Sequence, residues 1–310
     1  MASGCAVGEA LGRAGLVGHP SDGYGGATLA VTLPDLRARV AITRARGEPG
    51  IAPADAAPLV AAAIARFARE RPGFHPAVDV RCETTIPREV GLGGSSALVV
   101  ATLRALGALA GEPIPETDLP ALALAVETDD LGITAGPQDR VVQTLGGLVF
   151  MDFASGRHRR LDATLLPALF VAWRPGAGTS SGAAHSGVRN RHRDGDPAIR
   201  TAMRTLATLA RDATAALEAS DHDAFAGALT AGYEIRERIF DLDPRHTAMI
   251  GRARALKLPA TYTGSGGAIV GVATDHAAVD RLRRDFDADG IRLTVYRPDQ
   301  LRSSGSGSTG

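Results

Sequence analysis

An α+β fold in two halves is predicted by three features of the sequence. Short apolar segments separated by Gly- and Pro-bearing turns open the chain, Ala- and Leu-rich stretches with helical apolar spacing interrupt them, and both patterns return after residue 162. The 310 residues allow one large domain or two ordinary ones, and either buries a full core.

Residues 13–17, 27–33 and 36–42 read as strands. Residues 56–69 (AAPLVAAAIARFAR) combine helix formers with helical apolar spacing, and 77–85 reads as another strand, giving the order β-β-β-α-β. The run 95–109 is Ala- and Leu-rich, opens directly out of a glycine turn and carries two serines where N-caps belong. Helices are predicted over 119–129 and 137–145, and a strand over 147–153 closes the first half. A boundary near 162–167 divides the chain into an N-terminal unit, 1–164, and a C-terminal unit, 165–300. The second half is predicted as a strand at 169–173, a long polar glycine-bearing loop at 175–196, and helices near 198–219, 224–240 and 247–256. Strands at 260–263, 268–273 and 293–296 and a helix over 277–286 complete it. No internal repeat is visible, and the Gly/Ser-rich end, 301–310, is predicted to be a flexible tail.

Composition narrows the functions. Lys+Arg 34 against Asp+Glu 34 leaves no net charge and no basic block, which argues against a nucleic-acid partner. Apolar content of 45% with 22% charged residues is that of a folded protein. Two cysteines, Cys5 and Cys82, make neither a disulfide framework nor a thiolate zinc site, so the compartment is read as reducing. The first residues lack a signal-peptide pattern and no stretch reaches 18 apolar residues, so a cytoplasmic protein with no membrane partner is expected. All basic residues but Lys257 are arginine, and no GxxxxGK[ST] occurs. Phosphate chemistry here must therefore use arginine, backbone amides and metal, and a Schiff base would have to use Lys257.

Four stretches carry chemistry. In the first, Pro87 to Ala97, the run Gly91-Leu92-Gly93-Gly94 lets backbone approach a ligand closely, and the helix that follows offers free N–H groups to an anion. Ser95 and Ser96 either cap that helix or turn a hydroxyl toward a phosphate-bound Mg²⁺. In the second, Asp139 follows a Gly-Pro helix start, where a carboxylate can orient a substrate hydroxyl and accept its proton; the alternative is an acid that merely answers the helix dipole. Glu127 lies on an earlier helix and can reach a Mg²⁺ from another direction. The third, Thr263-Gly264-Ser265-Gly266-Gly267-Ala268, is a second glycine turn or simply a hairpin. The fourth joins Arg13 to a polar turn holding Asp22 and Tyr24, where Asp22 either accepts hydrogen bonds from a polyol or closes an Asx turn.

In this order and spacing the four stretches resemble the GHMP kinase superfamily of galacto-, homoserine, mevalonate and phosphomevalonate kinases, from Gly12 to about Tyr296. The resemblance implies two domains, one like ribosomal protein S5 domain 2 and one ferredoxin-like. It implies that Pro87, Gly91, Leu92, Gly93, Gly94, Ser95, Ser96 and Ala97 form an ATP phosphate loop, with Ser96 and Glu127 on Mg²⁺. Asp139 matches the catalytic aspartate, Arg13 the basic residue facing the transferred phosphoryl, and Gly264, Ser265 and Gly266 a third motif on the substrate side. The first motif departs from the family: Leu11 replaces a proline, and His19-Pro20 stands where Glu-His is usual. Asp22 and Gly25-Gly26 match the sugar-binding D-x-x-G-G of the galactokinase-like branch.

Within that superfamily the glucuronokinase branch is the most similar, on residues 15–26, 131–153 and 185–196. The last segment supplies His185, Arg189 and Arg191, cations suited to a carboxylate unless they are simply a solvated loop. The resemblance thus implies an ATP- and Mg²⁺-dependent kinase, monomeric or homodimeric, acting on the anomeric hydroxyl of a sugar or sugar acid. The alternatives are another acceptor alcohol (a sugar, cyclitol, amino alcohol or mevalonate-like compound) and a silent ligand sensor.

Overall fold

The computed structural model describes residues 4–45, 47–75, 77–176 and 181–301, with 181–186 described by backbone alone. The Gly/Ser-rich stretch after Arg302 lies outside the described residues.

The chain opens with β1 (Cys5–Val17) and β2 (Ala27–Arg44), paired antiparallel along nearly their whole length. The segments 27–33 and 36–42, predicted as two strands, are one. Its first part, Ala27–Val31, pairs with β5 and its second, Ala38–Arg44, with β4, while the β1 register slips between Leu11 and Gly12. Pro34 falls in that slip, where its missing N–H costs no ladder bond.

Next come β3 (Ile51–Ala52), α1 (Ala57–Glu70), β4 (Val78–Thr84) and α2 (Gly94–Ala110). Helix α3 (Leu119–Ala125) runs on as a π turn, Val126–Asp130, where α-helix was predicted. Then α4 (Gln138–Leu145), β5 (Leu148–Asp152) and β6 (Arg157–Leu161) complete the first sheet, ordered β3-β4-β2-β5-β6 with β1 on β2. β6 reads RHRRL, an exposed edge strand with none of the apolar alternation by which strands are recognised.

The second half runs β7 (Leu169–Trp173), α5 (Ser181–Arg193), α6 (Pro197–Glu218), α7 (His222–Ile239) and α8 (Pro244–Ala255). It ends with β8 (Ala260–Tyr262), β9 (Ala268–Val272), α9 (His276–Ala288) and β10 (Arg292–Tyr296). The four strands are ordered β10-β7-β9-β8, all antiparallel, which is the ferredoxin-like arrangement. The predicted loop over 175–196 is corrected: most of it is helix α5. Its polar sequence has no apolar stripe, and Val188 alone of its described side chains is buried.

Alternation along the second sheet explains the packing. Leu169 and Val171 face one way, into a large cluster shared with β1, β2, α2 and α6, while Phe170 and Ala172 face α8 and α9. The main core therefore runs across both sheets, and Leu301, beyond the last strand, is buried in it. No helix among the described residues is long and apolar enough to cross a membrane.

Candidate active site

Glycine conformation shapes the loop before α2. Gly91 (φ 76°) and Gly93 (φ 74°) sit in the left-handed region, which lets the chain turn from β4 into the helix within a few residues. Every carbonyl of Gly91-Leu92-Gly93 is then claimed by the protein. Gly91 O accepts from Arg13 Nη1 (2.5 Å) and Thr263 Oγ1 (2.8 Å). Leu92 O takes the Arg13 N–H at 3.0 Å, and Gly93 O takes Gln143 Nε2 at 2.8 Å and the Ala97 N–H at 3.0 Å. With acceptors turned to protein donors and the first N–H groups of α2 lacking helical partners, the loop presents donors and a positive dipole end to an anion.

The predicted serine cap does not form. Helix α2 has no side-chain cap, because Gly93 is its N-cap and Ser96 Oγ donates back to Gly93 O at 3.1 Å. Ser96 is buried yet lines the cavity with Ser95.

Across the cavity Arg13 and Asp139 form a two-pronged pair, Nε to Oδ1 at 2.6 Å and Nη2 to Oδ2 at 2.7 Å. Burial acts to raise the Asp139 carboxyl, but the charge and hydrogen bonds of Arg13, then the charge of Arg140 and a bond from Gln138, outweigh it and hold it below 3.8. Arg13 Nη1 also donates to Thr263 O at 3.0 Å, so one side chain ties together the glycine loop, α4 and the β8–β9 turn.

Glu127 is buried in the π turn, its Oε2 taken by Nε and Nη2 of Arg140. Burial raises its pKa against the pull of Arg140. That ion pair modifies the sequence expectation of a free metal ligand, since only Oε1 stays clear of Arg140. Among the described residues no three His, Cys, Asp or Glu gather, so a cation here would rest on the Ser96 hydroxyl, one Glu127 oxygen and phosphate oxygens, a hard-oxygen set that suits Mg²⁺.

Asp22 is buried beside the start of α4, accepting the Gln138 N–H at 3.2 Å, and its pKa is raised by burial first and by the Asp139 charge second. Tyr24, beside it, meets the His192 ring at 4.4 Å. Helix α5 places Arg189 in the same lining, together with Gly264 and Ser265. All enclose one cavity of about 520 Å³, a size suited to a small-molecule site.

The residues named from sequence thus converge, with exceptions. Ala97 is buried in α2 and Gly266 packs toward His246, and neither lines the cavity. Arg191 pairs with Asp196 (2.9 Å) rather than facing the cavity. The His185 side chain lies outside the described residues. The sequence reading missed Arg140, Gln143 and Arg236, whose partners Glu127, Gly93 and Gly264 lie 13, 50 and 28 residues away in the chain. Only the placing of Arg140 and Gln143 one and four residues after Asp139 on one helix hinted at the first two.

Two family descriptions match the chain, "GHMP kinases N terminal domain" over residues 58–147 and "GHMP kinases C terminal" over residues 213–292. The chain is 37% identical to glucuronokinase 1 of Arabidopsis thaliana over 201 residues, 61% of this chain. That stretch spans 55% of the Arabidopsis protein, about half its length. Among solved structures, a galactokinase of Lactococcus lactis complexed with galactose superimposes with a TM-score of 0.79 at 14% identity, covering 94% of this chain and 93% of that one. A mevalonate kinase of Methanococcus jannaschii gives 0.74 at 13% identity, covering 93% and 96%. At such identities the likeness is one of fold, and it agrees with the two matched domains, which together take in more than half of the chain. The chain therefore belongs to the GHMP kinase family.

Proposed function

We propose that this protein transfers the γ-phosphoryl group of ATP to the anomeric hydroxyl of a sugar acid resembling glucuronic acid. The observation that carries the reading is the single cavity in which an anion-binding loop meets a part-buried Arg13–Asp139 pair, with Asp22, Tyr24 and Arg189 in the same wall. The similarity to a glucuronokinase supports the choice of acceptor, and Arg189 offers paired N–H donors to a carboxylate.

The residues divide the work. The amides from Gly91 to Ser96 hold the phosphate chain. Ser96 and Glu127 hold Mg²⁺, which when bound neutralises phosphate charge. Asp139, ionised at neutral pH, orients the acceptor hydroxyl and takes its proton as the new O–P bond forms and the bond to the ADP oxygen breaks. A carboxylate weakened as a base by Arg13 suits a loose transfer, in which positioning and electrostatics dominate. Arg13, with most of its donors spent on protein groups, holds Asp139 and the loop in place and adds positive charge beside the transferred group. Asp22 accepts a sugar hydroxyl.

The test is ADP release with Mg-ATP and a panel of glucuronic acid, galacturonic acid, glucose, galactose and mevalonate, with phosphorus NMR of the product. An anomeric phosphate on a uronic acid supports the reading. Preference for a neutral acceptor removes the role given to Arg189, and no ADP release with any acceptor would favour a ligand sensor.

A further inference from the structure

The buried charges around the cavity are almost all matched, Arg13 by Asp139 and Arg140 by Glu127. Among the buried cations Arg236 on α7 is the exception. Only 2% exposed, it forms no ion pair among the described residues. Its Nη2 donates to Gly264 O at 2.5 Å, while Nε and Nη1 find no hydrogen-bond partner. Its remaining company is aromatic, with the guanidinium 5.4 Å from the Tyr262 ring and 5.8 Å from that of Phe240. Burial draws its pKa down to about 10, which leaves it charged at neutral pH. An unpaired buried charge is among the most costly features a fold can keep.

Its position gives that charge a direction. Arg13 Nη1 holds Thr263 O and Arg236 Nη2 holds Gly264 O, so guanidinium groups fix two successive carbonyls of the β8–β9 turn. In a planar trans peptide the Ser265 N–H then points away from Arg236. Gly264 and Ser265 line the cavity and Arg236 lies behind them. Asp22 is the one buried acid of the wall without an ion pair among the described residues, and its charge acts on Arg236 through space without a hydrogen bond between them.

We propose that Arg236 is a specificity-determining positioning residue that selects an anionic, carboxylate-bearing acceptor, through its buried charge, which has no ion pair among the described residues, and through the Gly264–Ser265 turn it holds. The inference rests on the acceptor reading above and deepens it. A buried charge in a poorly polarisable surround is worth on the order of a tenfold preference or more.

The test compares glucuronic acid with glucuronamide, its neutral isostere, in the full-length chain with Mg-ATP. The wild type is expected to favour the acid in kcat/KM. Arg236→Met is expected to lower that ratio about tenfold or more with the KM for ATP unchanged, and Arg236→Lys to keep most of it. A folded Arg236→Met with an unchanged ratio, both acceptors slowed alike, overturns the proposal and leaves the acceptor reading standing. If the methionine variant does not fold, Arg236→Lys decides: a preserved ratio supports the charge argument, and a lost one in a folded protein overturns it. A wild type that favours the amide, or uses neither compound, overturns the acceptor reading and this proposal with it.

Discussion

Arg13 and Asp139, 126 residues apart, meet through two near-parallel bonds of 2.6 and 2.7 Å. The pair sets both the ionisation of the proposed base and the position of the loop opposite. Asp139→Asn keeps the shape and removes the charge. It should lower kcat about 10²- to 10⁴-fold while ATP binding persists, as checked by ADP release beside a nucleotide titration. Because Arg13 lowers the Asp139 carboxyl pKa, any acid limb that Asp139 gives to kcat/KM should lie below that of an ordinary aspartate in the wild type. A limb near 6 that disappears in Asp139→Asn would contradict this.

Gly93 is bound by conformation and by space. A β-carbon there would sit in the left-handed region, 2.8 Å from Gln143 Nε2 and 3.1 Å from Arg13 Cγ. Gly93→Ala should cost about 1–3 kcal/mol and lower Tm by several degrees in a thermal melt. ATP affinity should fall with it, since the strain lies in the loop itself.

Ser96→Ala should raise the Mg²⁺ concentration needed for half-maximal rate while changing the acceptor KM little. The hydrogen bond of its hydroxyl among the described residues, to Gly93 O, is local, so thermal stability should hold within about 1 kcal/mol. An unchanged Mg²⁺ titration would remove Ser96 from the metal site.

Asp22 predicts a conflict between stability and binding. Its pKa is raised, by burial first, so relative to the unfolded chain it favours folding at low pH and loses that contribution as pH rises through its folded value. Asp22→Asn should therefore raise Tm at neutral pH while weakening acceptor binding. A lower Tm at pH 7 and an unchanged acceptor KM would together refute its assignment.

Asp243 runs the other way. It caps α8 and grips Arg245, which with the capping N–H lowers its pKa from 3.8 to about 2 despite slight burial. Its contribution is complete above 3.8 and fades as pH falls toward 2. Asp243→Ala should cost about 1 kcal/mol at neutral pH, and urea melts should show the gap from wild type closing across that acid window.

The legible parts of the fold were those with local signals. Helix α2 and the glycine turn before it, strand β7 and the spacing of Asp139 after Gly136-Pro137 are written in consecutive residues. β6 was hidden because RHRRL lies at an exposed edge where pairing, not burial, makes the strand. α5 was hidden because its glycines and serines read as loop. Within the site, Asp139, Ser96 and Gly93 stood out by motif. Arg140 and Arg236 did not, because what distinguishes them is a partner 13 residues away and a carbonyl 28 residues away.

The bond from Arg13 to Thr263 O spans 250 residues, and the Gly15 N–H reaches the same carbonyl at 2.9 Å. During synthesis, then, the phosphate loop exists long before the segment that braces it. Until residue 263 has emerged, Gly91 O lacks the Thr263 hydroxyl and the Arg13 guanidinium lacks one of its three anchors. Contacts so distant in sequence form late, because a long loop must close before they repay it. The growing chain therefore passes through a long interval with its fold partly built and its cavity incomplete, until the two ends of the sequence have met.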